Sequence, residues 1–162
     1  MHKVLEREPD ALSYDMEVSC RWKAEVVLEV EKEKSVRPLH NLGRTFGHAI
    51  ETSAGYGNWL HGEAVATGML MAADLSMRLG NLSQKDVERV DNLLDMAMLP
   101  PRAPHHMDYE HYMEIMAIDK KTRAGKINLI LFKKLGDAIL TNDFELTLLR
   151  ETIDAHRAID GQ

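Results

Sequence analysis

Between residues 37 and 65 the chain sets side chains that can hold a metal ion, an anion or a proton at helical spacing. Asn41, Arg44 and His48 recur at i, i+3 and i+7, so they share one helix face. Leu42, Phe46, Ala49 and Ile50 form the apolar face of the same helix. His61 follows the turn Gly55-Tyr56-Gly57-Asn58 and opens the next helix. An imidazole in that place can give one ring nitrogen to a divalent metal while the other takes a supporting partner. Glu51 and Glu63 are the nearby carboxylates. Arg44 stands where a metal site built here would most use a histidine. A guanidinium has five donors, no lone pair to give and a permanent charge that repels a dication.

A second set of residues suits anions. Lys23, Arg37, Lys120 and Lys121 are cations in separate segments. Gathered by the fold they would make a phosphate or carboxylate pocket; taken singly, each reads as a solvated surface charge. Lys23 lies within a stripe of Met16, Cys20 and Val27, so it either snorkels to water or lines an anion pocket. Cys20 reads as a small core residue, and a lone cysteine permits no internal disulfide. His105-His106 in a Pro-rich loop, His2 and His156 read as solvated.

The elements that must position these residues are mostly helical. The periodicity predicts a helix from about Asp10 to Lys34, a second from near Asn41, and a third from His61 to a stop at Gly80. Ala64, Gly68 and Ala72 repeat every fourth residue, which lets another backbone approach closely and makes the third helix central. Ser83-Gln84-Lys85-Asp86 forms a capping box opening a helix with Val87, Val90, Leu93, Leu94 and Ala97 inward. Pro100, Pro101 and Pro104 enforce a loop. A short helix from Tyr109 leads to Asp119-Lys120-Lys121. A hairpin about Ile127–Leu140 and a last helix from Phe144 to Ala158 end the chain. The expected fold is mainly α: one multi-helical domain over residues 1–162 with a short antiparallel β-hairpin near the C-terminus.

Composition excludes several classes. The 162 residues suffice for one domain with a core, and 44% hydrophobic with 28% charged residues is an ordinary soluble balance. A net charge of −6 argues against broad nucleic-acid binding. The weakly polar run from Ala64 to Ala73 is far short of a membrane span. The start is neither a signal nor a transit peptide.

The residues of two segments are similar to a known family. Asn41-Leu-Gly-Arg44-Thr-Phe-Gly-His48-Ala-Ile-Glu51 and Gly55-Tyr-Gly-Asn-Trp-Leu-His61-Gly-Glu63-Ala-Val-Ala66 resemble 3-dehydroquinate synthase in its C-terminal helical domain. Lys23-Ala-Glu-Val-Val27, Asp119-Lys-Lys121 with Gly125, and Leu135-Gly136-Asp137-Ala138 support it. The resemblance runs from about Asp10 to about Asp154, and related sugar-phosphate cyclases share the first piece in looser form. It implies conversion of 3-deoxy-arabino-heptulosonate 7-phosphate to 3-dehydroquinate and phosphate, in the shikimate pathway, with transient use of NAD and a zinc or cobalt Lewis acid. It implies His61 as a metal ligand, and Lys23, Asn41 and His48 as catalytic pocket residues. Arg37 and Glu33 fall at substrate positions, and Lys120 or Lys121 meets the anionic group. The expected setting is the cytoplasm, or the plastid in a plant or alga.

This sequence departs from the pattern in two main ways. Arg44 stands at a metal-ligand histidine position, and no Gly-rich strand-to-helix turn of an NAD-binding domain occurs in these residues. Val30 for an acidic residue, Ser35 for glycine and Asn128 for arginine are smaller departures. Of three implied metal ligands only His61 remains, a glutamate ligand being expected upstream. Two readings stay open. One is the C-terminal half of the enzyme, working only with an N-terminal half. The other is an inactive descendant that binds an anion or a partner. Either leaves apolar surface exposed, so self-association is expected.

Overall fold

In the computed structural model, which describes residues 2–32, 39–55, 59–120 and 127–159, the chain is mainly helical. A short α1 (His2–Leu5) precedes the long α2 (Pro9–Lys32). A single 3-10 turn (Leu39–Asn41) leads into α3 (Arg44–Ala54), and α4 (His61–Arg78) follows. Then come α5 (Gln84–Met96), α6 (Tyr109–Lys120), the hairpin β1 (Leu129–Lys134) and β2 (Asp137–Thr141), and α7 (Leu146–Ala155).

Small residues put α4 at the centre. Ala64, Gly68 and Ala72 are all buried, and α4 packs against α3, α5, β1 and α7. A methyl group added at Gly68 would lie 2.1 Å from the Gly43 carbonyl oxygen and 2.8 Å from the Gly47 nitrogen. One added at Gly47 would lie 2.9 Å from the Ala64 oxygen. Helices α3 and α4 therefore meet backbone to backbone. Gly43, at φ +77°, makes the left-handed step between the 3-10 turn and α3. This step is why α3 starts at Arg44 and not at Asn41.

Phe46, Ile50, Leu70, Met71 and Leu75 build the core with Tyr112, Leu131, Leu149 and Ile153. The Phe46 and Tyr112 rings meet edge to face at 6.2 Å. The β1–β2 pair is antiparallel, with Leu129 opposite Thr141 and Leu131 opposite Ile139. The Phe132 N–H donates to the Ser76 hydroxyl at 2.9 Å, tying the hairpin to α4. Asp86 and Ser83 cap α5 reciprocally, as the sequence predicts. Within that helix Val87 and Leu94 are buried, whereas Leu93 is exposed.

Besides Leu93, two expectations about burial fail. No residue from 9 to 28 is buried, so Cys20 is exposed, as are Met16 (60%), Trp22 (61%) and Val27. The stripe on α2 is real, but periodicity says only that a face is apolar, not that this part of the chain covers it. This surface is the physical basis for expecting self-association. His156 is the other failure: it is largely buried beside Asp74, its Nε2 3.9 Å from Oδ1.

Asp74 ties α4 to α7. It is 7% exposed and accepts from Arg78 Nε at 2.6 Å and from the Thr152 hydroxyl at 2.8 Å. Burial pushes its carboxyl pKa up, but His156, Arg78 and Thr152 outweigh this and hold it at about 2. A carboxylate with a depressed folded pKa stabilises the fold above its unfolded pKa of about 4. That contribution, on the order of 2 kcal/mol, is lost as the pH falls from about 4 towards 2. Chemical denaturation across this range is expected to show the loss in the wild type. Asp74→Asn is expected to be less stable at neutral pH and to lack this limb; an unchanged limb contradicts the assignment.

Candidate substrate and metal site

The site is built around the α3 N-terminus. The 3-10 turn carries His40 and Asn41, and the left-handed Gly43 then aims Arg44 outward at the first helical position. Arg44 Nη1 donates to the Asn41 side-chain oxygen at 3.0 Å. One turn further along, His48 is exposed on the same face. From the other side, α2 brings the Lys23 ammonium into hydrogen-bond contact with His40 Nε2. The structure thus brings together Lys23, His40, Asn41 and Arg44, with His48 beside them. Two basic side chains, Lys23 and Arg44, stand on this surface, and no carboxylate bonds to either among the described residues.

His61 is held differently. As the first residue of α4 it projects from the end that Glu63 caps, the Glu63 carboxylate accepting from the Leu60 N–H at 2.9 Å. Its Nδ1 lies 3.0 and 3.1 Å from the two Glu51 oxygens, leaving Nε2 as the ring nitrogen open to a ligand. This carboxylate–imidazole pair is the arrangement that orients a metal-binding histidine. The side chain is 71% exposed.

The donor set around His61 does not fit zinc or cobalt. Arg44 has no lone pair, and its Nη1 is turned to Asn41. Among the described residues no three His, Cys, Asp or Glu side chains converge on a point that could hold a metal ion. Of the remaining residues the sequence singles out, Glu33, Arg37 and Lys121 lie outside the described residues. Lys120 ends α6, and its side chain lies outside them too.

His40 was not singled out from sequence. The available signal was its place next to Asn41, opposite a lysine that otherwise had no partner in an apolar stripe. The loop histidines His105 and His106 are exposed, as the sequence predicts, but His106 also has a partner that the sequence does not reveal. Ser53 Oγ sits 2.8 Å from His106 Nε2 and 3.0 Å from His111 Nε2, linking α3 to the start of α6.

The chain is similar to several known proteins. Residues 1–122 match the family model for the 3-dehydroquinate synthase C-terminal domain. A 3-dehydroquinate synthase of Nitrosococcus oceani is 55% identical over 152 residues, covering 94% of this chain and 42% of that protein. A chloroplastic 3-dehydroquinate synthase of Solanum lycopersicum is 49% identical over 156 residues, covering 96% and 35%. The chain therefore spans less than half the length of the curated relatives it matches. Among solved structures it is similar to a 2-epi-5-epi-valiolone synthase from Streptomyces hygroscopicus with NAD+ and Zn2+ bound. There the TM-score is 0.62 at 25% identity, over 71% of this chain and 31% of that one. It is also similar to a 2-deoxy-scyllo-inosose synthase complexed with carbaglucose-6-phosphate, NAD+ and Co2+. That match has a TM-score of 0.60 at 27% identity, over 72% and 34%. No helix among the described residues is long and apolar enough to cross a membrane.

Proposed function

The chain belongs to the 3-dehydroquinate synthase C-terminal family, and on that premise we propose that it is a substrate-binding half that does not carry out the metal step with its own residues. It grips an anionic sugar phosphate through Lys23, Asn41 and His48, with Arg37, Glu33 and one of Lys120 and Lys121 completing the pocket. The reaction such a half would serve is the conversion of 3-deoxy-arabino-heptulosonate 7-phosphate to 3-dehydroquinate and phosphate. NAD and the rest of the reacting machinery would come from sequence like that of the relatives beyond the matched region. The setting would be the cytoplasm, or the plastid in a plant.

The observation that carries the reading is the Arg44–Asn41 hydrogen bond at 3.0 Å. It puts a fixed positive charge where a dication would need a lone pair, and it adds a donor fork suited to a phosphate or carboxylate. Lys23, Asn41 and Arg44 bind and orient the anion, and His48 and His61 are the residues able to move a proton at this surface. The same charges favour a second reading, a non-enzymatic chain that binds an anionic ligand or partner here.

Calorimetry with the heptulosonate 7-phosphate tests binding. The wild type is expected to bind, and Lys23→Ala to bind about tenfold more weakly, since a charge-assisted hydrogen bond is worth roughly 1.5–3 kcal/mol. Binding that is undetectable, or indifferent to Lys23, contradicts the proposed pocket. Binding of inorganic phosphate as tightly as of the sugar phosphate would favour the second reading.

A further inference from the structure

The Ser53, His106 and His111 cluster has no part in the proposed pocket, yet its chemistry is specific. Ser53 lies in the last turn of α3, His106 in the Pro-rich loop and His111 in the first turn of α6. Both Nε2 atoms converge on one hydroxyl oxygen, at 2.8 and 3.0 Å. The two rings lie 6.0 Å apart, centroid to centroid. A hydroxyl has one proton, so it can donate to only one of two imidazoles and must accept from the other. His111 Nδ1 faces Glu114 at 3.9 Å, which favours the proton on Nδ1 and leaves the Nε2 lone pair to accept from Ser53. His106 Nε2 then donates to the Ser53 oxygen.

Neighbouring groups favour a cation. The Asp108 carboxylate accepts the His111 backbone N–H at 2.9 Å, and the Glu114 carboxylate stands on the other side. His105, its ring edge-on to His106 with centroids 5.5 Å apart, is a further nearby imidazole. None of these residues bonds to Lys23, Arg44 or His61 among the described interactions.

We propose that His106 and His111 form a two-imidazole clasp for a borderline divalent metal ion such as Ni2+, Cu2+ or Zn2+, seated where the Ser53 hydroxyl now bridges them. Imidazole nitrogens suit these ions, whereas Mg2+ and Ca2+ demand oxygen ligands. Small rotations of the rings and of Ser53 bring both Nε2 atoms to about 2.0–2.1 Å from a common ion, with water filling the other positions. Each ring would bind through Nε2 with its proton on Nδ1, the tautomer that the nearby Glu114 carboxylate favours for His111. Two imidazoles without a third protein ligand fit a modest, reversible site. The absence of any convergent set of three His, Cys, Asp or Glu side chains among the described residues accords with that. Binding would pin the loop and α6 to the end of α3, independently of what α3 does at its other end.

The test uses the full chain and the metal alone. Titration with paramagnetic Ni2+ is expected to broaden the His106 and His111 ring proton signals first, with one ion bound per chain. Zn2+ is expected to raise Tm, and Mg2+ is not. His106→Ala with His111→Ala is expected to weaken Ni2+ binding by roughly 10–100-fold or more, the range that loss of even an outer-shell partner produces. His2→Ala, at an exposed histidine outside both sites, is expected to leave it unchanged. Broadening centred on His61 or His2, or affinity unaltered in the double variant, overturns the proposal. Because the broadening is read on the unaltered protein, a variant that fails to fold does not shield the proposal from refutation. Failure here would leave the sugar-phosphate reading untouched, since that rests on Lys23, Asn41 and Arg44.

Discussion

Gly68→Ala is expected to lower Tm by about 10 °C. The added carbon would lie 2.1 Å from the Gly43 carbonyl oxygen, well inside contact distance. The obstacle is backbone, not a flexible side-chain tip, so relief requires α3 to move off α4. Overpacking of this kind costs about 1–3 kcal/mol, and a clash with main chain belongs at the upper end. Gly43 cannot yield easily, because its own φ of +77° and its approach to the Met69 nitrogen confine it. Gly62→Ala is the matched control. Nothing lies within 4 Å of a methyl group there, so the variant is expected to gain a few tenths of a kcal/mol, up to about 1, from helix propensity. Thermal denaturation of both variants decides the matter, and equal Tm values would contradict the close α3–α4 contact. Since Arg44 and His48 ride on α3 and His61 on α4, Gly68→Ala is also expected to weaken anion binding.

Arg44→His is the second large effect. It places an imidazole four residues before His48, so two imidazoles share one helix face at i and i+4, within chelating reach of a single ion. It also removes a permanent positive charge from this face of α3. In a background carrying His106→Ala and His111→Ala, which silences the proposed loop clasp, zinc affinity is expected to rise at least about tenfold. Isothermal titration with Zn2+ measures the gain. Unchanged affinity would mean that Arg44 is not what keeps a dication from this surface.

The sequence made α3 and α4 legible because their information is local: helical spacing, small residues every fourth position and a histidine after a Gly-rich turn. Gly68 could be assigned a close contact from spacing alone, although only the structure identifies Gly43 as its partner. The α5 cap was readable for the same reason, since Ser83 and Asp86 satisfy each other within one turn. Long-range pairings were not readable. Asp74 meets Thr152 and His156 across about half the chain, and Ser53 meets His106 and His111, with no sequence signal joining them. Cys20 and Val27 went wrong for another reason. An apolar stripe fixes which face of α2 avoids water, but the described residues do not cover that face. At the candidate site, the chemistry of Arg44 followed from its side chain alone, whereas its bond to Asn41 required the Gly43 turn to be in place.

The central claim is that Arg44 denies this chain the metal step. The most direct test measures phosphate release from 3-deoxy-arabino-heptulosonate 7-phosphate with NAD+ and Zn2+ present. The portion of the Nitrosococcus oceani relative outside the matched region is supplied as a separate polypeptide. The unaltered chain is expected to give no release above background, and the Arg44→His variant to give release that depends on zinc. Zinc-dependent turnover by the unaltered chain, at a rate matching the intact relative, would contradict the account.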